Sequence, residues 1–326
     1  MNVLARFTVI AIVAAAIGGC PQGQSSDADG GNADGDGGGV ANEAKTGIRV
    51  TTPAGAETAL FDVYRATGAE RVEQAQGSGE IVELPPGAYL LTEYGTEFLY
   101  ASNVVVVSGQ ITDVALGALL VTTPEGTPNG SYDIYDDASD TLLVRPASLE
   151  AVRPLPAGTY RIRDYFNESF VYAEGVAVSA GEVSTIPLGA IHVISVNGDG
   201  RASYDVYDES GQNLLDRPSS SDELRPAPAG TYVLREYFNE AFDYANGLVV
   251  RPNEVTVLRL GAIVYGGAEP SYDIYDASGT TLLARPSSRG DTRHVPAGTY
   301  VLKDYFADTV LAVDVVVSEG AVTNVP

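Results

Sequence analysis

The sequence repeats itself four times at a nearly constant step, and this periodicity limits the fold more than any other feature of the chain. The segments FDVYRATG, YDIYDDAS, YDVYDESG and YDIYDASG recur at steps of 71, 72 and 68 residues. A second motif, PPGAYLLTEY, PAGTYRIRDY, PAGTYVLREY and PAGTYVLKDY, keeps the same steps. Two motifs that share one period indicate a tandem array of a single folding unit.

Each repeat consists of short strand patterns separated by turn residues. In the second repeat we predict strands at ALLVTT, SYDIYD, TLLVRP, EAVRPL, GTYRIRDYF, VYAEGVAVS and EVSTIPLGA. Seven short strands in about 70 residues predict a small antiparallel sandwich. The expected fold is therefore all-β, with four tandem β-sandwich repeats of the prealbumin or immunoglobulin type. We place the repeats at 47–117, 118–189, 190–261 and 262–326.

Strand alternation predicts which side chains form the core. In SYDIYD, Tyr132 and Ile134 share a large and mostly apolar face, whereas Asp133 and Tyr135 share the opposite face. In GTYRIRDYF the same parity places Phe166 inward. The Pro-Ala-Gly segment before that strand predicts a tight entry turn, in which glycine is free to adopt positive φ.

The junctions between repeats are short and apolar. LGALLV, LGAIHV and LGAIVY pass from the last strand of one repeat into the first strand of the next without a polar spacer. A unit of this size buries only about 60% of its unfolded surface, so it gains stability by packing on its neighbours. We therefore expect a stiff rod on the order of 100 Å long, from roughly 30 Å per unit. The first and fourth repeats depart from the pattern, as capping repeats do, although drift in a spacer would produce the same departure.

An export leader is predicted at residues 1–19. Arg6 precedes an apolar run that is too short to span a bilayer as a helix. The following IGGC resembles the lipobox of bacterial lipoproteins, which implies that the mature chain begins at Cys20 and is held to a membrane by lipid chains. The alternative is an ordinary secretory signal with a chance cysteine. Pro21, and not aspartate, follows the cysteine, which favours the outer membrane or the cell surface.

Residues 20–46 are rich in glycine and aspartate and contain almost nothing to bury. This composition predicts a disordered, flexible tether between the lipid and the folded repeats. Calcium binding is the alternative, because DADGGN loosely resembles an acidic metal loop. However, Gly38 stands at the twelfth position counted from Asp27, where an EF-hand needs a bidentate glutamate.

The chain is strongly acidic and has one cysteine. Its formal net charge is −24, and a surface of this sign repels phosphate backbones, so we expect no nucleic-acid partner. Because Cys20 is the single cysteine, disulfide bonds within the chain are excluded. The stability of the fold must therefore come from packing.

The run LPAGTYRIRDYFNESFVYAEGVAVSAGEVSTIPLGA resembles the closing half of prealbumin-like β-sandwich repeats in bacterial surface proteins. PEGA domains, carboxypeptidase regulatory-like domains and Cna B-type domains share this ending. The segment GIRVTTPAGA is similar to the opening of a PEGA unit. The resemblance covers all four repeats and implies a spacer or adhesion-type module without catalysis.

Residues that could carry out chemistry are sparse. His192 and His294 lie in different repeats, which does not favour a zinc site or a Ser-His-Asp arrangement. Asp164 and Glu168 could act as acid and base, but a small sandwich with a filled core offers no obvious cleft, and a solvated acidic surface is the better interpretation. We expect no catalytic residue, no metal and no cofactor.

Tyrosines on the outward parity form the candidate binding surface. The eight residues are Tyr64, Tyr135, Tyr207, Tyr275, Tyr94, Tyr165, Tyr237 and Tyr305. Amphipathic rings of this kind are favoured at recognition surfaces. Two interpretations stay open: cross-strand pairs whose hydroxyls bond to aspartate or arginine, or an exposed ladder that binds an extended glycan or a partner protein.

These features together predict a lipid-anchored protein of the bacterial cell envelope, a non-catalytic stalk, spacer or adhesion-type scaffold. The alternative is a binding module for envelope polysaccharide or a surface protein, acting through the exposed tyrosines. A third interpretation is an accessory subunit of an enzyme encoded elsewhere.

Overall fold

Short strands account for nearly all of the regular structure. The computed structural model describes residues 44–67, 70–128, 130–196, 202–237 and 242–326. The predicted leader, Cys20 and the tether as far as residue 43 lie outside the described residues. Within them the chain forms 28 strands and no α-helix, so the prediction of an all-β chain is confirmed. No described segment forms a helix that could cross a lipid bilayer.

The strands divide into four sets of seven, one set for each repeat. The first repeat contains β1 to β7, at Gly47–Thr51, Leu60–Arg65, Arg71–Gly77, Ile81–Glu83, Gly87–Glu93, Leu99–Val106 and Ile111–Ala115. The second contains β8 to β14, at Gly117–Thr122, Ser131–Asp136, Leu142–Ser148, Val152–Leu155, Gly158–Asp164, Val171–Val178 and Val183–Pro187. The third contains β15 to β21, at Gly189–Ile194, Ser203–Tyr207, Leu214–Ser220, Leu224–Ala227, Gly230–Glu236, Asp243–Val250 and Val255–Arg259. The fourth contains β22 to β28, at Gly261–Tyr265, Ser271–Tyr275, Leu282–Ser288, Arg293–Val295, Gly298–Asp304, Val310–Val317 and Val322–Val325.

Every repeat arranges its strands in two sheets of the same order. In the first repeat the three-stranded sheet has the order β4-β1-β7 and the four-stranded sheet has the order β3-β2-β5-β6, and the other repeats reproduce both orders. The first and last strands of each repeat pair in parallel, β1 with β7, β8 with β14, β15 with β21 and β22 with β28. The other neighbours pair antiparallel. The small antiparallel sandwich is thus confirmed, with one parallel pair per repeat that the sequence did not predict.

The core lies between the two sheets and consists of the side chains that alternation placed inward. Tyr132 and Ile134 have no exposed surface. The corresponding residues of the other repeats are equally buried, namely Phe61, Val63, Tyr204, Val206, Tyr272 and Ile274. Burying a large apolar side chain stabilises a fold by about 1.5–3 kcal/mol. The alternation pattern therefore identifies the side chains that hold each sandwich together.

A tyrosine near the start of the fifth strand fixes the entry turn of every repeat. The Tyr160 hydroxyl donates a hydrogen bond to the Pro156 carbonyl at 2.7 Å, and the other three repeats make the same bond. Gly158 in this turn does not adopt positive φ, so that part of the prediction is wrong. A Cβ atom at this position would lie 3.1 Å from the Tyr160 hydroxyl. Glycine is needed here for the close approach of the ring.

Replacing Tyr132 with phenylalanine is expected to stabilise the second repeat. The Tyr132 side chain is fully buried, and its hydroxyl has no hydrogen-bond partner among the described residues. An unpaired buried hydroxyl costs free energy, so its removal should raise the free energy of unfolding by about 1 kcal/mol. Tyr160→Phe is the matched control, because it removes the bond to Pro156 and should lower that free energy by about 1 kcal/mol. Urea unfolding followed by circular dichroism measures both, and equal losses would contradict the prediction.

A hydroxyl group links the two sheets along one side of each sandwich. Ser184 Oγ on β14 donates a hydrogen bond to the Ala177 carbonyl on β13 at 2.7 Å. The last strand of every other repeat makes the same bond, at 2.8–2.9 Å. Because β13 and β14 are the edges of their respective sheets, this bond closes the open side of the sandwich.

A single leucine connects each repeat to the next. Leu116, Leu188 and Leu260 each lie between the last strand of one repeat and the first strand of the following one, and none is more than 1% exposed. The short apolar junctions expected from LGA are thus present. Consecutive repeats meet without an intervening loop.

Candidate functional site

The outer face of the four-stranded sheet carries a network of aspartate, arginine and tyrosine. In the second repeat, Arg145 Nε donates a hydrogen bond to the Asp133 carboxylate at 2.7 Å, and the Arg145 guanidinium lies over the Tyr165 ring at 5.6 Å. The Arg163 guanidinium lies over the Tyr135 ring at 4.6 Å. Strand pairing creates this arrangement, because Arg163 on β12 stands directly opposite Asp133 on β9.

The third and fourth repeats cover their tyrosines in the same way. Arg235 lies over Tyr207 at 4.5 Å, and Lys303 lies over Tyr275 at 4.1 Å. As a result Tyr135, Tyr207 and Tyr275 are only 5%, 7% and 8% exposed. The expectation that these three rings are exposed is wrong, because alternation assigns a face and does not reveal a cation on the neighbouring strand that covers it.

The other five tyrosines of the candidate surface are more accessible. Tyr94 and Tyr305 are 43% and 38% exposed, whereas Tyr64, Tyr165 and Tyr237 are half-buried. Four of the five follow the fifth strand of their repeat directly. The accessible tyrosines are therefore concentrated at one end of each sandwich, which in the first three repeats faces the next repeat, and they do not form a ladder along the sheet.

An aspartate oxygen beneath this network lacks a partner in three repeats. In the first repeat, Asp62 accepts a hydrogen bond from the Ala75 N–H at 2.8 Å. In the second repeat, strand register places Pro146 at the position of Ala75, and proline has no N–H to donate. One oxygen of the fully buried Asp133 therefore has no hydrogen-bond partner within the described chain, and the same is true in the third and fourth repeats. The sequence marks this difference, because the second, third and fourth repeats share the pattern LLxRP at Leu142–Pro146, Leu214–Pro218 and Leu282–Pro286, and the first repeat lacks it.

Phe166 is 82% exposed, although alternation placed it in the core. Strand β12 ends at Asp164, whose carboxylate accepts hydrogen bonds from the N–H groups of Phe166 and Asn167, both at 2.8 Å. These bonds form a turn, and strand parity does not continue through a turn. The ring instead packs edge-on against Tyr165 at 4.8 Å and faces solvent.

The same type of ion pair joins each repeat to the next. It links an arginine on the fourth strand of the later repeat to the final acidic residue of the fifth strand of the earlier one, in the pairs Arg153 with Glu93, Arg225 with Asp164, and Arg293 with Glu236. The arginine side chains are 21–22% exposed and the acidic side chains 3–14%. Burial raises the pKa of Glu236, and Arg293 opposes that rise. We call these three contacts the joints.

The second joint has several further contacts besides its ion pair. Asn167 Nδ2 donates a hydrogen bond across it to Asp216 Oδ1 at 2.8 Å, and Arg225 Nε donates to the other Asp216 oxygen at 2.6 Å. The Phe170 ring packs edge-on against Tyr232 of the following repeat at 6.2 Å and lies under the Arg225 guanidinium at 5.6 Å. Polar and apolar contacts in several directions fix the orientation of the two repeats.

The residues that form the joints do not occur at the two repeat ends that have no neighbouring repeat among the described residues. In the first repeat, strand register places Val82 where the second repeat has its joint arginine. At the second joint Phe170 is accompanied by Tyr172, whose hydroxyl donates a hydrogen bond to the joint residue Asp164 at 2.5 Å. Strand register shows that Thr309 and Leu311 stand at the positions of this aromatic pair in the fourth repeat. The arginine and the aromatic pair thus occur together where two described repeats meet.

Two open clefts lie at the joints, whereas the sequence suggested no cleft within a sandwich. A cleft of about 160 Å³ at the first joint is lined by Leu60, Tyr94 and Arg153. A cleft of about 230 Å³ at the second joint is lined by Phe166 and Arg217. Tyr94 and Phe166, the exposed aromatic residues of the turns in the first two repeats, therefore border the spaces between repeats.

The candidate acid–base residues take part in structural contacts. Asp164 belongs to the second joint, and Glu168 pairs with Arg145 at 2.6 Å. His192 lies on β15 and His294 on β25, in different repeats. Across the part of the chain that the structure describes, no group of three or more His, Cys, Asp or Glu side chains is placed to hold a metal ion.

Comparison with known proteins yields weak structural matches only. No protein-family profile matches the chain, so the resemblance to PEGA and related domains stays an expectation, and no curated protein matches it. The Bacillus anthracis TIE protein matches with 12% identity over 85% of this chain and 72% of its own, at a TM-score of 0.17. BcpA, the major pilin subunit of Bacillus cereus, matches with 13% identity over 59% of this chain and 88% of its own, at a TM-score of 0.16.

A third match is the pilus adhesin SpaC from Lactobacillus rhamnosus GG. It has 12% identity over 67% of this chain and 38% of its own, at a TM-score of 0.18. With identities and TM-scores this low, the function of the chain has to be argued from its own residues.

Proposed function

We propose that this protein is a lipid-anchored spacer of the bacterial cell envelope, a stalk that holds a fixed distance from the membrane. The observation that carries the proposal is the joint, repeated at all three contacts between described repeats. Domains that swing freely are connected by exposed polar linkers with few contacts across them. Here a buried leucine and a shielded arginine–carboxylate pair connect each repeat to the next.

The anchor and the tether complete this proposal at the membrane. Cys20 in the lipobox-like IGGC is the acylated residue, and residues 20–46 separate the lipid from the first sandwich. Four repeats of roughly 30 Å give a reach on the order of 100 Å. The net charge of −24 repels neighbouring stalks and favours an upright, unaggregated array.

The spacer acts without catalysis of its own. Asp164 and Glu168 are held in ion pairs with arginine, and a carboxylate held in this way is poorly placed to exchange protons with a substrate. The clefts at the joints are open and lie between rigid units, so they provide no enclosed, water-free site.

A second candidate function is binding of envelope polysaccharide or of a surface protein. Phe166 supports it, because its ring is 82% exposed and borders the cleft at the second joint. Exposed aromatic rings beside polar groups are typical of recognition sites. In this proposal the binding residues are the aromatic residues in the turns at the joints, Tyr94 and Phe166. The covered tyrosines Tyr135, Tyr207 and Tyr275 take no part in binding.

Reconstitution on a supported bilayer tests the spacer. Labelled palmitate should enter the wild-type protein but not Cys20→Ser, and the mutant should not be retained on the bilayer. Neutron reflectometry should show a protein layer on the order of 100 Å thick. Deleting residues 190–261 keeps an LGA junction and brings Arg293 to Asp164, so the shortened chain should bind equally and its layer should be thinner by about a quarter.

Each outcome of this experiment has a distinct meaning. Retention or acylation of Cys20→Ser contradicts the anchor, and an unchanged layer for the shortened chain contradicts the spacer. Retention of envelope polysaccharide by the wild type, lost in Phe166→Ser, would favour the second candidate.

A further inference from the structure

We propose that each repeat is also a mechanical clamp, so that the array carries tension along its length. This function goes beyond spacing, because a spacer has to resist bending only, and a load-bearing tether has to resist extension. The inference starts from the path of the chain through the sandwich. Each repeat is entered through its first strand and left through its last strand, and these two strands are hydrogen-bonded neighbours that run parallel.

Parallel pairing decides how a pull on the chain reaches these hydrogen bonds. In the second repeat, β8 and β14 pair over five residues, from Ala118 with Val183 to Thr122 with Pro187. The start of β8 and the end of β14 therefore lie at opposite ends of the pair. A pull applied at these two points acts along the strands in opposite directions and loads every bond of the ladder simultaneously. In a hairpin pulled at its open end, the bonds break one after another at a lower force.

The ladder extends past the strand ends into the junctions. At its beginning the Ala118 N–H donates to the Glu182 carbonyl at 2.9 Å, and at its end the Leu188 N–H donates to the Thr122 carbonyl at 2.8 Å. Leu188 is also the buried residue that connects to the third repeat. Tension therefore passes from the clamp of one repeat directly into the next, with no loop to extend first.

The ladder pattern identifies which N–H groups bear load. Bonds in a parallel pair alternate along the strand, so the two end bonds place the N–H groups of Ser184 and Ile186 toward β8. The N–H of Thr185 then points away from β8. Pro187, which has no N–H, occupies the next outward position, consistent with this assignment. Ser184 also bonds to β13 through its hydroxyl and so ties the clamp to the second sheet.

Pulling the same chain in two geometries tests the clamp. Cys20 is the single cysteine, so a chain attached there and at its C-terminus is loaded from first to last strand in every repeat. Four unfolding events of similar, high force are expected. In Cys20→Ser/Glu168→Cys the attachment moves to the turn between β12 and β13, at the end of the repeat where β14 also ends. The pull then peels β14 from β8 and β13 from β12, one hydrogen bond after another.

In this second geometry the unfolding force of the second repeat should fall by about half or more, because it now unfolds by peeling. The third and fourth repeats are still loaded through their clamps and should keep the high force within the same molecule. Equal forces for the peeled and the clamped repeats would overturn the proposal. Low force with an unchanged layer thickness on the bilayer would overturn the clamp and leave the spacer standing.

A pair of proline variants locates the load within the ladder. Ser184→Pro removes an N–H that faces β8 together with the hydroxyl bond to β13, and it should lower one of the four unfolding forces by about half or more, further than Ser184→Ala, which removes the hydroxyl bond alone. Thr185→Pro is the matched control, because its N–H faces away, and its force should stay unchanged. Equal losses in both variants contradict the assignment. If the repeat that carries Ser184→Pro does not fold, three unfolding events are observed. The comparison of the two pulling geometries then decides whether the repeat is a mechanical clamp.

Discussion

Raising the pH above about 10 is expected to unfold the repeats cooperatively. Burial raises the pKa of Tyr272 and Tyr300 to about 12, against about 10 for an exposed tyrosine. The unfolded state therefore loses these protons at lower pH than the folded state does. The stability that they contribute is complete below about pH 10 and is lost as the pH rises through about 12.

The loss of stability at high pH is large because burial raises the pKa of many tyrosines. The raised pKa of Tyr272 and that of Tyr300 should each lower the free energy of unfolding by about 2 kcal/mol by about pH 12, after allowance for solvent screening. Burial also raises the pKa of eight others, Tyr100, Tyr132, Tyr135, Tyr160, Tyr172, Tyr204, Tyr232 and Tyr244. The second repeat holds four of these and the third holds three, so these two repeats should unfold first.

Tyrosinate absorbance measured together with circular dichroism checks this expectation. The chain has 19 tyrosines and no tryptophan, so the absorbance change reports tyrosine ionisation without interference. The buried rings should ionise in a steep step that coincides with loss of the β-sheet signal. Ionisation of all the rings near pH 10 with an intact β-sheet spectrum would show that burial does not protect them.

The other large effect is expected at the second joint, where Arg225→Met should destabilise the array by about 3–5 kcal/mol. Arg225 is within 3.1 Å of Asp164 and within 2.6 Å of Asp216. Both carboxylates are buried. Methionine fills a similar volume and removes the positive charge, so two buried carboxylates lose their cationic partner. The midpoint of urea unfolding should fall, and small-angle scattering should detect a hinge between the second and third repeats.

An arginine on the surface provides the matched control. Arg251 pairs with Glu254 at 3.6 Å, and both side chains are more than 60% exposed. Exposed pairs contribute less than about 1 kcal/mol, so Arg251→Met should leave both measurements nearly unchanged. If Arg225→Met behaves like Arg251→Met, the joint is not what orients the repeats.

Local patterns in the sequence predicted the sandwich because they depend on one strand at a time. The alternation that buries Tyr132 and Ile134 has a period of two residues and needs no knowledge of neighbouring strands. The short LGA junctions were also predicted from the sequence, because an apolar residue without a polar spacer beside it has to be buried. Phe166 escaped the pattern because Asp164 ends the strand and begins a turn.

The joints were not predicted because they depend on how whole repeats dock. Arg153 and Glu93 are 60 residues apart in the chain and meet only when one sandwich stacks on the next. The burial of Tyr135 was not predicted for a similar reason, because the guanidinium that covers its ring belongs to Arg163 on another strand. One signal was present: the fourth strand carries an arginine in three repeats and Val82 in the first. A residue that changes at one end of an array indicates a contact between its units.

The joint also has a consequence for how such a chain can change in evolution. Each repeat presents an acidic residue at one end, and the second, third and fourth each present an arginine at the other. A duplicated copy of an internal repeat therefore brings both halves of the contact with it. Gene duplication or deletion in steps of one repeat can lengthen or shorten the protein without inventing an interface, and reach becomes a trait that selection can adjust by copy number.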